Sequence, residues 1–303
     1  MANQVRVIVW GLPRTCSSVL LKSLTSLPDS QMIYELYTDA YFWGPERLDQ
    51  QNFPTVEGGD PAIKLSKDGL LRGSASGFDT SISTFDWVRR QLEADYPGKK
   101  VIIAKEIAPW LDGRYKDLPK GYRHVFLIRH PFKMFHSFKK INREFLEQKR
   151  GHPVGLEEAV LDQLPPHIMT PGMLYKEMTD LWQYIKDSNL DPDPIIVDSD
   201  ELLQSPQNVL SYLCGQLRIP YTDSILSWEK GFNCTGSWVV SQEHKHLIQT
   251  MDSFVNFRNS TSFLKPKGTS KAPDWSTVDP DIRRCVEFSM PYFSQMYDKR
   301  GKF

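Results

Sequence analysis

Val5-Arg6-Val7-Ile8-Val9-Trp10-Gly11-Leu12-Pro13-Arg14-Thr15-Cys16-Ser17-Ser18 decides the reading of this chain. Its first six residues are nearly all apolar and largely β-branched, which predicts a strand buried on both faces, as parallel strands are. Gly11 and Pro13 end that strand. Ser17 to Leu27 then reads as a helix, with Val19, Leu20, Leu24 and Leu27 near helical spacing, and Pro28-Asp29 stops it. In a parallel sheet, ligands bind beyond the carboxyl ends of the strands, which is where this turn lies. Arg14, Thr15, Ser17 and Ser18 stand at a helix N-terminus, where free N–H groups and the helix dipole favour an anion. Hydroxyls and a guanidinium add charge-assisted hydrogen bonds to phosphate. The plain alternative is a strand-helix turn in which Ser17 is only a cap.

Further strands are predicted at Lys100 to Lys105, Tyr122 to Ile128 and Ile195 to Val197. Helices are predicted at Phe85 to Tyr96, from Pro131 through Phe145, at Leu174 to Ser188, from Ser205 to about Leu217, and from Pro280 to Tyr297 with an interruption at Pro291. Alternating strands and helices imply an α/β, three-layer fold with a central, mainly parallel sheet and a P-loop-like strand-loop-helix, read as one domain over residues 1–303. Residues 44–82, rich in Gly, Pro, Asp and Ser, form a long excursion placed to act as a lid. Residues 151–172 are a second irregular stretch.

With 303 residues, 40% of them hydrophobic, the chain can bury a large core. Thirty-seven basic residues balance 37 acidic ones, which argues against a nucleic-acid partner bound through a basic coat. The field is uneven, however: residues 121–150 hold eight Lys/Arg and two Glu. No apolar run reaches the roughly 20 residues of a membrane span, and there is no secretion signal. Cys16, Cys214, Cys234 and Cys285 show no ligand spacing, so no metal site is expected, and reduced thiols fit a cytoplasmic protein. The Walker A pattern is not met, since Gly11 is followed by neither a second Gly nor a Lys-Ser/Thr pair, and this disfavours an Mg²⁺-dependent kinase.

Arg129 follows the third strand in Phe126-Leu127-Ile128-Arg129-His130-Pro131, and Ser137 comes eight residues later on the next helix. So placed, Arg129 and Ser137 suit a second phosphate. Together these residues resemble the sulfotransferase superfamily, whose donor is 3′-phosphoadenosine 5′-phosphosulfate (PAPS). Its 5′-phosphosulfate loop runs Pro, Lys or Arg, Ser or Thr, any residue, then two hydroxyl residues, and Pro13-Arg14-Thr15-Cys16-Ser17-Ser18 is similar. Arg129-His130-Pro131 with Ser137 resembles its 3′-phosphate motif, although His130 stands where Asp or Asn is usual. Two later stretches are also similar: Val197 to Pro206 followed by Leu217-Arg218-Ile219-Pro220, and the basic-glycine loop Lys265-Pro266-Lys267-Gly268. The resemblance implies that Arg14, Thr15, Cys16, Ser17 and Ser18 hold the 5′-phosphosulfate and that Arg129 and Ser137 hold the 3′-phosphate. It also implies that Lys265, Lys267 and Gly268 close over the 3′ side. The product nucleotide would be adenosine 3′,5′-bisphosphate (PAP), with no metal required.

Sulfuryl transfer needs a base for the acceptor proton and a cation on the leaving phosphate oxygen. Arg14 is the expected cation and Lys105 a second candidate. The Lys-Thr-His of the small-molecule enzymes is missing, because Ala104-Lys105-Glu106-Ile107 stands in its place. Glu35 is the first choice for base, as the Pro-Arg-Ser/Thr loop is more similar to relatives that use an early Glu. Its apolar and aromatic surroundings predict a pKa raised by desolvation. Glu106, at the position of the missing His, is the runner-up. The alternative for Glu35 is a structural salt bridge, for instance with Arg14. His130 and His136 read as helix-start or packing residues. Tyr34, Tyr37, Tyr41, Phe42, Trp43 and Trp110 suggest either core packing or a pocket for an aromatic or hydroxylated small-molecule acceptor. Two other functions stay open: a P-loop-type kinase, and a catalytically inactive nucleotide-binding protein of the same fold.

Overall fold

The computed structural model describes residues 4–47, 53, 55–265 and 274–302. Lys267 and Gly268, and with them most of the basic-glycine loop, lie outside the described residues, as does part of the 44–82 excursion. The chain builds β1 (Val5–Gly11), α1 (Ser17–Leu24), β2 (Ser30–Tyr34), α2 (Leu36–Phe42), β3 (Ala75–Phe78) and α3 (Phe85–Glu93). It continues with β4 (Val101–Ile107), β5 (Arg123–Ile128), α4 (Pro131–Arg150), α5 (Tyr175–Asp187), β6 (Ile195–Asp198), α6 (Ser199–Gln204) and α7 (Pro206–Leu217). The last elements are β7 (Val239–Ser241), α8 (Gln242–Thr250), α9 (Val255–Asn259) and α10 (Pro280–Tyr297).

Among the described residues, seven strands pair in parallel, in the order β3-β7-β2-β4-β1-β5-β6. The central strands are buried on both faces, and their alternate residues feed two separate cores. Ile8, Trp10, Ile102 and Ala104 pack into one layer, with α2, α3, α4, α5 and α10. Val7, Val9, Val101 and Ile103 pack into the other, with α1, α7 and α9. This two-residue period sends Lys105 and Glu106, adjacent at the end of β4, to opposite faces of the sheet.

β2, β3 and β7 go beyond the sequence expectations. β2 begins with Ser30-Gln31, and β3 and β7 are four and three residues long, so none offers an apolar run of diagnostic length. α10 runs unbroken through Pro291, contrary to the interruption expected. Pro291 deprives the Glu287 carbonyl of its helical donor. Both residues lie on the exposed face, where water can take the donor's place.

α10 is fastened to α4 by a buried ion pair. Lys139 Nζ lies 2.9 and 3.0 Å from the Asp281 carboxylate and 2.8 Å from Asp279 Oδ2, and the Leu161 N–H donates to Asp281 at 2.9 Å. Lys139→Met leaves Asp281 buried without its cation, which is expected to lower the unfolding free energy by about 3 kcal/mol. Urea denaturation of the two proteins checks this; equal midpoints would show that the pair contributes nothing net.

Candidate functional site

β1 has room for no side chain at its last residue, Gly11, where the loop to α1 begins. A Cβ on Gly11 would meet Thr15 Oγ1 at 2.8 Å and Ser17 Oγ at 3.2 Å. Arg14 and Cys16 take left-handed backbone conformations, with φ of 68° and 62°. α1 starts without a side-chain cap. Helix geometry leaves its first-turn N–H groups without intrahelical acceptors, so the loop is a concave set of donors at a positive helix end. Thr15 is fully buried and its hydroxyl donates to the Leu12 carbonyl at 2.8 Å. Its side chain therefore braces the loop, while Arg14, Cys16, Ser17 and Ser18 line a cleft of about 2020 Å³.

The two stretches that the sequence reading assigns to phosphate binding meet in that cleft. Arg14 Nε donates to Ser137 Oγ at 3.0 Å, and another Arg14 nitrogen donates to the Ser253 carbonyl at 3.0 Å. Arg129 donates to the Arg14 carbonyl at 2.8 Å, and the Tyr175 hydroxyl fixes the Arg129 carbonyl at 2.6 Å. Arg129 Nε is buried without a hydrogen-bond partner, 3.8 Å from Asp200 Oδ1, which is also unpartnered. Lys133 pairs with the other oxygen of Asp200 at 2.8 Å. Lys265 lines the same cleft from its exposed rim.

His130 caps the helix that follows it, α4: its Nδ1 accepts from the Phe132 N–H at 3.3 Å. Capping needs a neutral ring, and burial together with the Lys133 charge holds the His130 pKa below its ordinary value. His136 is exposed on the cleft wall.

At the far wall, Glu35 stands between β2 and α2 with φ of 52°. One carboxylate oxygen pairs with Lys105 Nζ. The other lies 3.1 Å from His244 Nε2. His244 Nδ1 in turn lies 2.9 Å from Asp39 Oδ1, which also accepts from Ser241 Oγ at 2.7 Å. Lys105 sits over the Tyr34 ring, 5.0 Å from its centroid, and the Tyr34 hydroxyl is 2.8 Å from Ser18 Oγ. Glu35 and the start of α1 are thus linked through Lys105 and Tyr34. The sequence expectation of a raised Glu35 pKa is overturned. Burial does oppose its charge, but Lys105 and His244 outweigh burial and hold the carboxyl well below the usual carboxylate range. The salt bridge foreseen as the alternative is present, with Lys105 rather than Arg14.

Glu106 faces the opposite core. Its carboxylate accepts the N–H groups of Leu36 and Tyr37 at 2.9 and 3.1 Å and so holds the start of α2. Burial pushes its pKa well up. His244 is the group the sequence reading missed. It lies more than 200 residues from Glu35, on α8 beyond a three-residue strand, and no local pattern marks it.

The aromatic residues divide. Tyr34, Phe42, Trp43 and Trp110 reach the cleft, together with Phe53, Phe138, Ile141, Phe145 and Leu247. Tyr37 and Tyr41 pack behind them: Tyr41 stacks on Trp110 at 5.3 Å, and Tyr37 donates to the Asp117 carbonyl at 2.5 Å. Among the described residues, no group of His, Cys, Asp or Glu is arranged to hold a metal, and no helix is long and apolar enough to cross a membrane.

This architecture is the sulfotransferase fold. The chain matches the structure of mouse sulfotransferase SULT7A1 complexed with PAP with a TM-score of 0.51 at 12% identity, covering 99% of this chain and 91% of that one. A sulfotransferase domain from the curacin biosynthetic pathway is 16% identical, with a TM-score of 0.47, over 94% of this chain and 96% of that domain. Two curated Arabidopsis thaliana proteins are similar in sequence. Branched-chain-amino-acid aminotransferase-like protein 1 is 30% identical over 237 residues, 76% of this chain and 33% of that protein. Branched-chain-amino-acid aminotransferase-like protein 2 is 33% identical over 137 residues, 45% of this chain and 20% of that protein. The chain therefore spans a third or less of the length of these curated relatives. No protein-family model matches it.

Proposed function

We propose that the chain transfers a sulfuryl group from PAPS to a hydroxyl or amine of a small-molecule acceptor. The observation that carries this reading is the junction of the two anion-binding motifs. Arg14 contacts Ser137, and Arg129 contacts the Arg14 carbonyl, at the mouth of a donor-lined loop in one cleft with a carboxylate-ammonium pair. The Arg129 guanidinium and the Ser17 and Ser18 hydroxyls, all lining the cleft, are groups an anionic nucleotide would use.

PAPS supplies a sulfuryl group already joined to a phosphate leaving group. Ser17, Ser18 and the first-turn N–H groups of α1 bind the 5′ side, and Arg129 with Ser137 binds the 3′-phosphate. Arg14 and Lys105 stabilise negative charge on the oxygen that departs with the phosphate. Glu35 takes the acceptor proton as the acceptor oxygen or nitrogen bonds to sulfur. The apolar part of the cleft, with Phe42, Trp43 and Trp110, suits an apolar or aromatic acceptor body.

A thermal-shift titration tests the donor class. PAP at about 100 times its Kd is expected to stabilise the protein by about 2.7 kcal/mol, with no shift from ATP plus Mg²⁺. A shift with ATP alone would overturn the reading in favour of a kinase. A shift with PAP but no transfer from PAPS across a panel of phenols, alcohols and amines would make this a binding protein.

A further inference from the structure

Asp39, His244, Glu35 and Lys105 form one buried row at the cleft wall, the last three lining the cleft. Their relative exposures are 0%, 3%, 8% and 1%. The two cations on Glu35 differ in freedom. The Lys105 ammonium ends a flexible four-carbon stem whose other contact is the face of Tyr34. The His244 ring is pinned at both nitrogens, by Glu35 at 3.1 Å and Asp39 at 2.9 Å, and its N–H at the helix start donates to Ser241 Oγ at 3.1 Å. Asp39 is itself held by Ser241. Two carboxylates facing one imidazole favour a proton on both ring nitrogens.

We propose that His244, backed by Asp39, is a positioning residue of the transfer site: it fixes Glu35 through one oxygen and remains its positive neighbour when Lys105 turns to the leaving phosphate. This rests on the sulfuryl-transfer reading. The division of labour follows from the two carboxylate oxygens. Lys105 leaves the oxygen it holds in the free protein, and that oxygen takes the acceptor proton. The new bond joins the acceptor atom to sulfur; the bond from sulfur to the phosphate oxygen breaks, and its electron pair stays on that oxygen beside Lys105 and Arg14. His244 gives up no proton. The charged or titratable groups around the pair are Lys105 and Glu106 on β4, Tyr34 on β2, Arg14 on the loop, Asp39 on α2 and Glu243 on α8. Burial opposes a charged His244, but Asp39 and Glu35 outweigh it and push its pKa up to about 10.

Two measurements test this. In the free protein, ¹⁵N NMR of the histidine rings is expected to show His244 doubly protonated at about pH 8; a neutral ring there would overturn the proposal without reference to any activity. In PAPS turnover, His244→Gln removes a positive charge facing Glu35, so the Glu35 pKa rises and the acidic limb of kcat/KM moves to higher pH by about 1 to 3. The variant is expected to lose about 10- to 100-fold in kcat, a share of the base's own contribution, with the Kd for PAP unchanged. Asp39→Asn, which keeps the ring, is expected to move the limb the same way by less. A loss of kcat with the wild-type pH profile in both variants would mean a merely structural role and would overturn the proposal. Wild-type protein that neither binds PAP nor transfers from PAPS would overturn the functional reading and this inference together, whatever the variants do.

Discussion

On the proposed assignment, Glu35→Gln retains PAP binding and loses about 10²- to 10⁴-fold in kcat, the range a positioned general base contributes. Glu35 lines the cleft and is linked to the proposed donor site through its ion-pair partner Lys105. Its removal therefore acts on the chemical step, while the freed Lys105 ammonium keeps or strengthens the hold on the donor. Glutamine keeps the length and one acceptor oxygen but cannot accept a proton at neutral pH. It also leaves the buried Lys105 and His244 without their shared anion, so the variant's melting temperature must be measured and turnover compared below it. The sign of the pH effect is fixed by the neighbours. Lys105 and His244 hold the Glu35 pKa below its ordinary value, so its carboxylate stays ionised as the pH falls, and wild-type turnover should show no Glu35 limb above about pH 5. Single-turnover kinetics with PAPS and a reactive phenol settle the matter. A Glu35→Gln rate within tenfold of wild type would remove Glu35 from the role of base.

How much of this was legible in the sequence depends on the range of each signal. β1, the turn and α1 could be read because an apolar run, a Gly, a Pro and a helical repeat lie within one short window. Arg129 could be read because a buried strand ends directly before it. β7 could not: three residues carry no periodicity, and its place between β3 and β2 is set by pairing over long sequence distances. Lys105 and Glu106 illustrate a subtler loss. Strand alternation requires that they diverge, but which of them joins the cleft depends on which core each face of β4 packs against. Lys105 falls on the side of Tyr34 and Glu35, and Glu106 on the side of α2. The Glu35 pKa was misjudged for the same reason. Local aromatic neighbours predict desolvation, while its two counter-charges come from β4 and α8, remote in the chain. His130 could be read as a helix-start residue from the Pro that follows it, and its imidazole nitrogen does cap α4.

Arg129→Ala is expected to weaken PAP binding by about 30- to 150-fold, equivalent to roughly 2–3 kcal/mol for hydrogen bonds to a charged group. The guanidinium is fixed at its root by Tyr175 and on one nitrogen by the Arg14 carbonyl, and its Nε remains buried and unpartnered. An incoming phosphate in the cleft thus meets a guanidinium that is already oriented. The fold has little stake in the charge. Asp200, its nearest carboxylate at 3.8 Å, keeps the closer Lys133 partner at 2.8 Å when Arg129 is gone. The loss should therefore appear in affinity and not in the melting temperature of the free protein. Arg129→Lys restores the charge without the planar fork and should recover only part of the affinity. Calorimetry with PAP and with adenosine 5′-phosphate separates the contribution of the 3′-phosphate. Wild type should prefer PAP strongly, and Arg129→Ala should bind the two nucleotides nearly alike. If the variant still prefers PAP as strongly as wild type does, the 3′-phosphate is held elsewhere in the cleft, and the pairing of Arg129 with Ser137 as its cradle is wrong.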